Sequence, residues 1–249
     1  MKRWPASLLA MLPLAAPSLI AENKVASTVI DARTGAAVTG LKAADFTILE
    51  DKTPRPILAV EYTTEKVDVM MLLDTSLVGE MVRPVAADLI AQLDPKEQMA
   101  VVSFHSAADL IQDFTSSREL LGRSLASVKY GNDPRVLDAL YAAIDGGFRS
   151  TTLRRVALLL TAGVEGNSRV SERQVVNVAR RNGVSIYPVY VIGYERSMLE
   201  NLARQTGGAT FNLRDLRKRE KGPLGARIFE AVRSRYTLTL SGYLALGEK

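Results

Sequence analysis

A chain of 249 residues has the length of one large α/β domain with a small appendage, or of two small domains. Its 47% apolar and 24% charged residues are those of an ordinary globular protein with a real core, which excludes a disordered chain. The net charge of +5 is modest and dispersed, which argues against a nucleic-acid partner, and zero cysteines exclude a disulfide framework and a lipidated thiol. In chain order, Lys2 and Arg3 form a positive start and Leu8 to Leu14 a short apolar run. Ala15 to Ala21 is a small-residue exit. Pro13 and Pro17 interrupt the run, which falls short of the ~20 residues that span a bilayer. Residues 1–21 therefore read as a signal peptide. They imply a secreted or periplasmic chain with no stable membrane span after cleavage.

Residues 22–66 alternate short β-branched stretches with turn residues. Asp31-Ala-Arg-Thr-Gly35 reads as a turn, and Phe46–Leu49 and Ile57–Tyr62 as strands. Three or four short strands are marginal alone, so this β extension needs something to pack against.

From Val67 the pattern changes to strands alternating with helices. Val67–Leu73, Met99–Phe104, Val156–Thr161 and Val184–Ile192 are near-continuously apolar, as strands covered on both faces should be. Val82, Val85, Ala86, Leu89, Ile90 and Leu93 recur at helical spacing before Asp94-Pro95. Val136, Leu137, Leu140, Ala143 and Ile144 do the same before Gly146-Gly147. Ser171 and Gln174 form a capping box ahead of Val175, Val178 and Ala179. Leu199, Leu202 and Ala203 mark a helix stopped by Gly207-Gly208, and Leu224 to Arg233 a last helix before the closing strand Tyr236–Leu240. The fold class is α/β: a doubly wound, mostly parallel sheet with helices on both faces and a small N-terminal β extension. The divisions are 22–66 for the extension, 67–235 for the α/β domain, and 236–249 for the closing strand and tail. The closing strand is expected to pair with the extension.

In such a sheet, ligands gather at the carboxyl ends of the strands, where Asp74-Thr75-Ser76 and Thr161-Ala162-Gly163 fall. Five segments, in order and spacing, resemble the von Willebrand factor type A (VWA) domain: "VDVMMLLDTSLV", "MAVVSFHSAADLIQDFT", "PRVLDALYAAI", "RRVALLLTAGVEGNS" and "GVSIYPVYVIG". The front end, "VIDARTGAAVTGLKAADFTILEDKTPRPI", and "RYTLTLSGY" resemble the lead-in and closing strand of a bacterial secreted VWA-related family. The resemblance implies a Rossmann-like fold and a metal-ion-dependent adhesion site. That site takes an Asp-x-Ser-x-Ser run, a threonine in a later loop and an aspartate after the fourth strand, oxygen ligands suited to Mg²⁺.

Residue by residue, Asp74 and Ser76 match the first two ligands, Val78 stands at the second serine, Pro134 at the threonine and Ala162 at the late aspartate. One carboxylate and one hydroxyl bring too little charge to dehydrate Mg²⁺. Asp133 and Glu165 lie near the lost positions and could supply replacement oxygens. The roles expected of Asp74 and Ser76 are structural: Asp74 accepts from nearby backbone N–H groups and Ser76 caps the helix after it.

Ser76, His105 and Asp74 could also form a nucleophilic arrangement. However, Ser76 lacks a Gly-x-Ser-x-Gly setting, and no zinc spacing or phosphate-binding glycine loop is present. Tyr187 and Tyr190 should face opposite sides of their strand, while Tyr194 falls past Gly193 at the rim. "LRDLRKREKG", with Arg214, Arg217, Lys218, Arg219 and Lys221, reads as a solvated segment. The expectation is a non-enzymatic protein-binding module without a cofactor. Its rim is Asp74, Thr75, Ser76, Asp133, Ala162 and Glu165. A Mg²⁺- or Mn²⁺-dependent adhesion domain with substitute ligands is the alternative, and a Ser/His hydrolase a further one.

Overall fold

A computed structural model describes residues 22–76, 79–219 and 223–241, so the signal-peptide reading of 1–21 and the tail beyond Ser241 lie outside the described residues. The strands are β1 (Glu22–Ser27), β2 (Ile48–Glu50), β3 (Thr53–Arg55), β4 (Ile57–Thr64), β5 (Val67–Asp74) and β6 (Gln98–Phe104). They continue with β7 (Ala108–Thr115), β8 (Arg154–Thr161), β9 (Val184–Tyr190), β10 (Phe211–Asn212) and β11 (Ser234–Ser241). The α-helices are α1 (Arg83–Ala91), α2 (Arg118–Ala126), α3 (Val136–Gly146), α4 (Glu172–Arg181), α5 (Arg196–Thr206), α6 (Leu213–Arg219) and α7 (Leu224–Arg233).

The central sheet runs β10-β9-β8-β5-β6-β7 and is parallel except for β7, which pairs antiparallel with β6. Every residue of β5 is buried, and its side chains alternate between two cores. Val67, Val69, Met71 and Leu73 face a layer containing α1, α2, α6 and α7, whereas Met70 and Leu72 face α3, α4 and α5. Period-two alternation within an unbroken apolar run is what a strand between two helix layers requires. Each large apolar side chain so buried contributes about 1.5–3 kcal/mol. The chain goes one way from β5 to β6 and β7, then returns to β8 on the other side. The crevice at that switch lies over the carboxyl ends of β5 and β8.

The closing strand does pair with the extension. β11 lies between β1 and β4, antiparallel to both, in a separate three-stranded sheet. Alternate residues of β11, including Tyr236, Leu238 and Leu240, are buried. The Tyr236 hydroxyl donates to the Val38 carbonyl at 3.0 Å and accepts from the Leu41 N–H at 3.1 Å, while Phe46 and Tyr62 pack on its ring. A buried polar contact joins this sheet's lead-in to the domain: Thr28, just past β1, and Tyr187 share a 2.6 Å hydrogen bond. Within the domain, Arg233 at the end of α7 forks onto the buried Glu97, with Nε to Oε1 at 2.8 Å and Nη2 to Oε2 at 2.6 Å.

The structure adds elements to the sequence reading, among them the short edge strand β10. β7 and α2 fill a stretch to which no element had been assigned. The segment read as solvated begins with α6, whose Leu213 and Leu216 are buried. Leu216 lies over Gly35, where an added Cβ would come within 2.5 Å of it, so this helix closes the core rather than floating in solvent. β9 ends at Tyr190, two residues short of the apolar run.

Candidate functional site

β5 delivers Asp74 to the rim in a fully buried setting, 1% exposed. Its Oδ1 accepts the Ser76 N–H at 2.9 Å, and its Oδ2 accepts the Thr161 hydroxyl and the Ala162 N–H, each at 3.0 Å. The carboxylate thus ties the end of β5 to the end of β8. Thr75 is also buried and inward-tied. Its N–H and hydroxyl both donate to the Phe104 carbonyl, at 2.8 and 3.0 Å, and its carbonyl accepts the Gly131 N–H at 3.0 Å. Ser76 forms a parallel bridge with Gly131. Its hydroxyl is buried and has no hydrogen-bond partner among the described residues. It does not cap the next helix: a 3₁₀ turn over Gly79–Val82 intervenes, and Val82 is the N-cap residue of α1.

Asp133 and Glu165 are brought to the same rim, where both bind protein groups. Asp133 adopts a left-handed backbone conformation (φ 62°); its Oδ2 pairs with Arg135 Nε at 2.9 Å and its Oδ1 accepts the Asn167 N–H at 3.1 Å. The Arg135 side chain, then the Asn167 N–H, hold its carboxyl below the usual aspartate range. Glu165 accepts the Leu137 N–H on Oε2 and the Ser168 N–H on Oε1, each at 3.2 Å, and so serves the open amino end of α3. Burial, the largest influence, pushes its pKa up against those hydrogen bonds. Asp138, which sequence reasoning passed over, accepts the Arg169 and Val170 N–H groups, each at 2.9 Å. An acidic residue in the first turn of α3 was the available signal, and it organises a neighbouring loop. Ala162 is buried at the end of β8, and the next residue, Gly163, has φ 90° with Ile192 O only 1.8 Å from where a Cβ would be.

His105 lies against Gly131, and its Nδ1 accepts the Ser106 N–H at 2.7 Å. Neither Ser76 nor Asp74 hydrogen-bonds to it, so the three residues of the nucleophilic arrangement are not assembled into a relay among the described residues. Tyr187 and Tyr190 are buried on opposite faces of β9, as their spacing implied, and Tyr194 is 80% exposed. Met81, in the 3₁₀ turn after β5, and Tyr130, next to Gly131, are exposed as well.

The divalent cation implied by the family resemblance can be tested against these contacts. Both Asp74 oxygens already accept protein hydrogen bonds, Ala162 carries no side-chain oxygen, and the Pro134 carbonyl accepts from Val136 and Gly166. Val78 lies outside the described residues. No group of three or more His, Cys, Asp or Glu side chains among the described residues could hold a metal ion. This donor set does not fit Mg²⁺, which needs near-octahedral oxygen ligation and gives up water reluctantly.

The family model for the von Willebrand factor type A domain matches residues 68–221. Among curated protein sequences none matches the chain. Among solved structures, the chain is similar to proximal thread matrix protein 1 from the mussel byssus, in a structure whose MIDAS motif is occupied by zinc. Identity is 19% and the TM-score 0.57, over 72% of this chain and 49% of that one, so the match spans about half of the mussel protein. It is also similar to BatB from Bacteroides thetaiotaomicron (14% identity, TM-score 0.53, 67% of this chain and 97% of that one). A third similar structure is an aerotolerance-related membrane protein from Bacteroides fragilis (13%, TM-score 0.51, 61% and 94%). At these identities the likeness is one of fold.

Proposed function

The chain belongs to the von Willebrand factor type A domain family, and from that premise we propose that it is a secreted or periplasmic protein-binding module working without a metal ion. Domains of this family are in general interaction modules rather than enzymes. The surface assigned to binding is the carboxyl-end rim around Asp74, Thr75, Ser76, Asp133, Ala162 and Glu165. The observation that carries the reading is the contrast within that rim. Its one matched acidic ligand position, Asp74, is buried and saturated with protein donors, while Met81, Tyr130 and Tyr194 stand exposed around it. Exposed aromatic side chains on fixed loops are the usual anchors of a protein interface. The positive start and short apolar run of residues 1–21 support export, and no described helix is long and apolar enough to cross a membrane.

The test is capture from an envelope extract with wild-type chain and with a Tyr130→Ala/Tyr194→Ala variant, each with and without EDTA. A partner retained by wild type in EDTA and lost by the variant is the expected result. Retention abolished by EDTA and restored by Mg²⁺ or Mn²⁺ would establish the metal-dependent alternative.

A further inference from the structure

At the pole opposite the rim, β1 crosses the ends of α4 and α5 and leaves a cleft of about 450 Å³. Four cationic side chains line it, Lys24, Arg180, Arg204 and Arg235, and among the described residues no carboxylate does. They come from four different elements: β1, α4, α5 and β11. The Arg180 guanidinium is held in place, with Nε donating to the Gln205 carbonyl at 2.9 Å and Nη2 to Gln205 Oε1 at 2.6 Å. Arg204 Nη2 donates to Asn201 Oδ1 at 2.9 Å, and Lys24 is exposed. Glu65 approaches one of the four: its Oε2 lies 3.6 Å from Arg235 and 3.5 Å from Arg154, so one carboxylate serves two guanidinium groups.

A plain explanation exists for part of this: arginines near helix ends answer the negative pole of the helix dipole. Two helix carboxyl ends contribute about half a negative charge each. Together they offset about one of four positive charges, and the shared Glu65 offsets less than one more. The cleft therefore keeps an excess of about two positive charges, an environment that favours an oxyanion. A phosphate group, with about −1.5 to −2 charges and three acceptor oxygens, matches that excess better than a single carboxylate does.

We propose that this cleft binds a phosphate group, either of a soluble phosphorylated ligand or of a lipid headgroup. The site lies away from the rim and does not depend on the rim's partner. The experiment is calorimetric titration of the full chain at low salt with inorganic phosphate and, as a control, acetate. It is repeated on a Lys24→Gln/Arg204→Gln variant, whose two altered residues are exposed and should leave the fold and melting temperature unchanged. The expected result is phosphate binding that acetate does not match and that the variant weakens at least about tenfold. Retention on vesicles containing phosphatidic acid but not on phosphatidylcholine vesicles, lost in the variant, assigns the lipid source. Phosphate binding without such retention assigns a soluble one. Because residues 1–21 are common to both chains, they cannot produce a difference between them. Phosphate bound no better than acetate, or bound equally by the variant, overturns the proposal.

Discussion

Replacing Asp74 with alanine separates a structural carboxylate from a metal ligand, because the two roles predict opposite signs. In the structure the substitution strips the acceptor from three buried donors: the Ser76 N–H, the Ala162 N–H and the Thr161 hydroxyl. The hydroxyl can turn away, since it also accepts the Gly163 N–H at 3.1 Å, but the two amides cannot. A buried unsatisfied donor costs about 1–3 kcal/mol, so Asp74→Ala should destabilise by roughly 3–6 kcal/mol once the lost side chain is included. At about 2–4 °C per kcal/mol for a chain of this size, the melting temperature falls by roughly 6–24 °C. Asp74→Asn can keep its one oxygen on the Thr161 and Ala162 side and turn its amide against the Ser76 N–H, so its loss should be near one donor, about 1–3 kcal/mol. The assay is urea denaturation in EDTA, comparing midpoints at constant slope. A ligand awaiting a cation would be poorly compensated in EDTA, and its removal would leave stability unchanged or raised. That outcome, or a ranking with Asp74→Asn below Asp74→Ala, refutes the structural role.

Four other expectations concern buried contacts and titrating carboxylates. Glu97 is fully buried and accepts from Arg233, the Val67 N–H at 3.2 Å and the Asp94 N–H at 3.0 Å. Removing it with Glu97→Ala strands a guanidinium and two amides and should cost about 3–5 kcal/mol, read as a lower urea midpoint. Tyr187→Phe loses the 2.6 Å contact with Thr28 and should cost about 1 kcal/mol, with amide exchange in β1 accelerating more than in β8. For pH, burial raises the folded pKa of Glu165, so its contribution is complete below the ordinary glutamate value and fades as pH rises through the folded one. The melting-temperature difference of Glu165→Gln minus wild type should therefore grow more positive from about pH 4 to pH 7, and a falling difference would contradict this. Asp31, Asp94 and Asp133 work in the other sense. Backbone N–H groups at Asp31, Lys66 at Asp94 and Arg135 at Asp133 lower their pKa values, so those contributions fade as the pH falls below the ordinary aspartate range.

The central sheet was legible because burial on both faces leaves a mark that survives without context. Val67–Leu73 and Val156–Thr161 carry apolar residues at almost every position over a length too short for a buried helix, which is the mark of a covered strand. β7 left no such mark, since it is an edge strand with Leu110 exposed and shifts in its register against β6, so neither period is kept. α6 was hidden by its charges, and only Gly35, far away in sequence, reveals why Leu216 must be covered. At the rim, the strand ends pointed to Asp74 and Ala162 and the family resemblance to Asp133 and Glu165, but neither could say where their hydrogen bonds go. Glu165 looked available as a ligand, yet it occupies the amino end of α3, which depends on loops meeting across the sheet. Ser76 failed as a cap for a similar reason: a 3₁₀ turn that no residue pattern announced separates it from α1.

The two proposed surfaces differ in the force available to each, and ionic strength distinguishes them. At the rim, Asp74 and Glu165 accept backbone N–H groups, and the Asp133 carboxyl is paired with Arg135. Attraction there must come from burying Met81, Tyr130 and Tyr194, which is short-ranged and indifferent to added salt. In the cleft, the excess charge of Lys24, Arg180, Arg204 and Arg235 acts through solvent and is screened over about 8 Å at physiological ionic strength. Raising salt from 0.05 to 0.5 M should therefore release the phosphate ligand while leaving capture of the rim partner in place. Loss of both together would mean that the rim, too, binds by charge, and would remove the ground for a metal-free apolar interface.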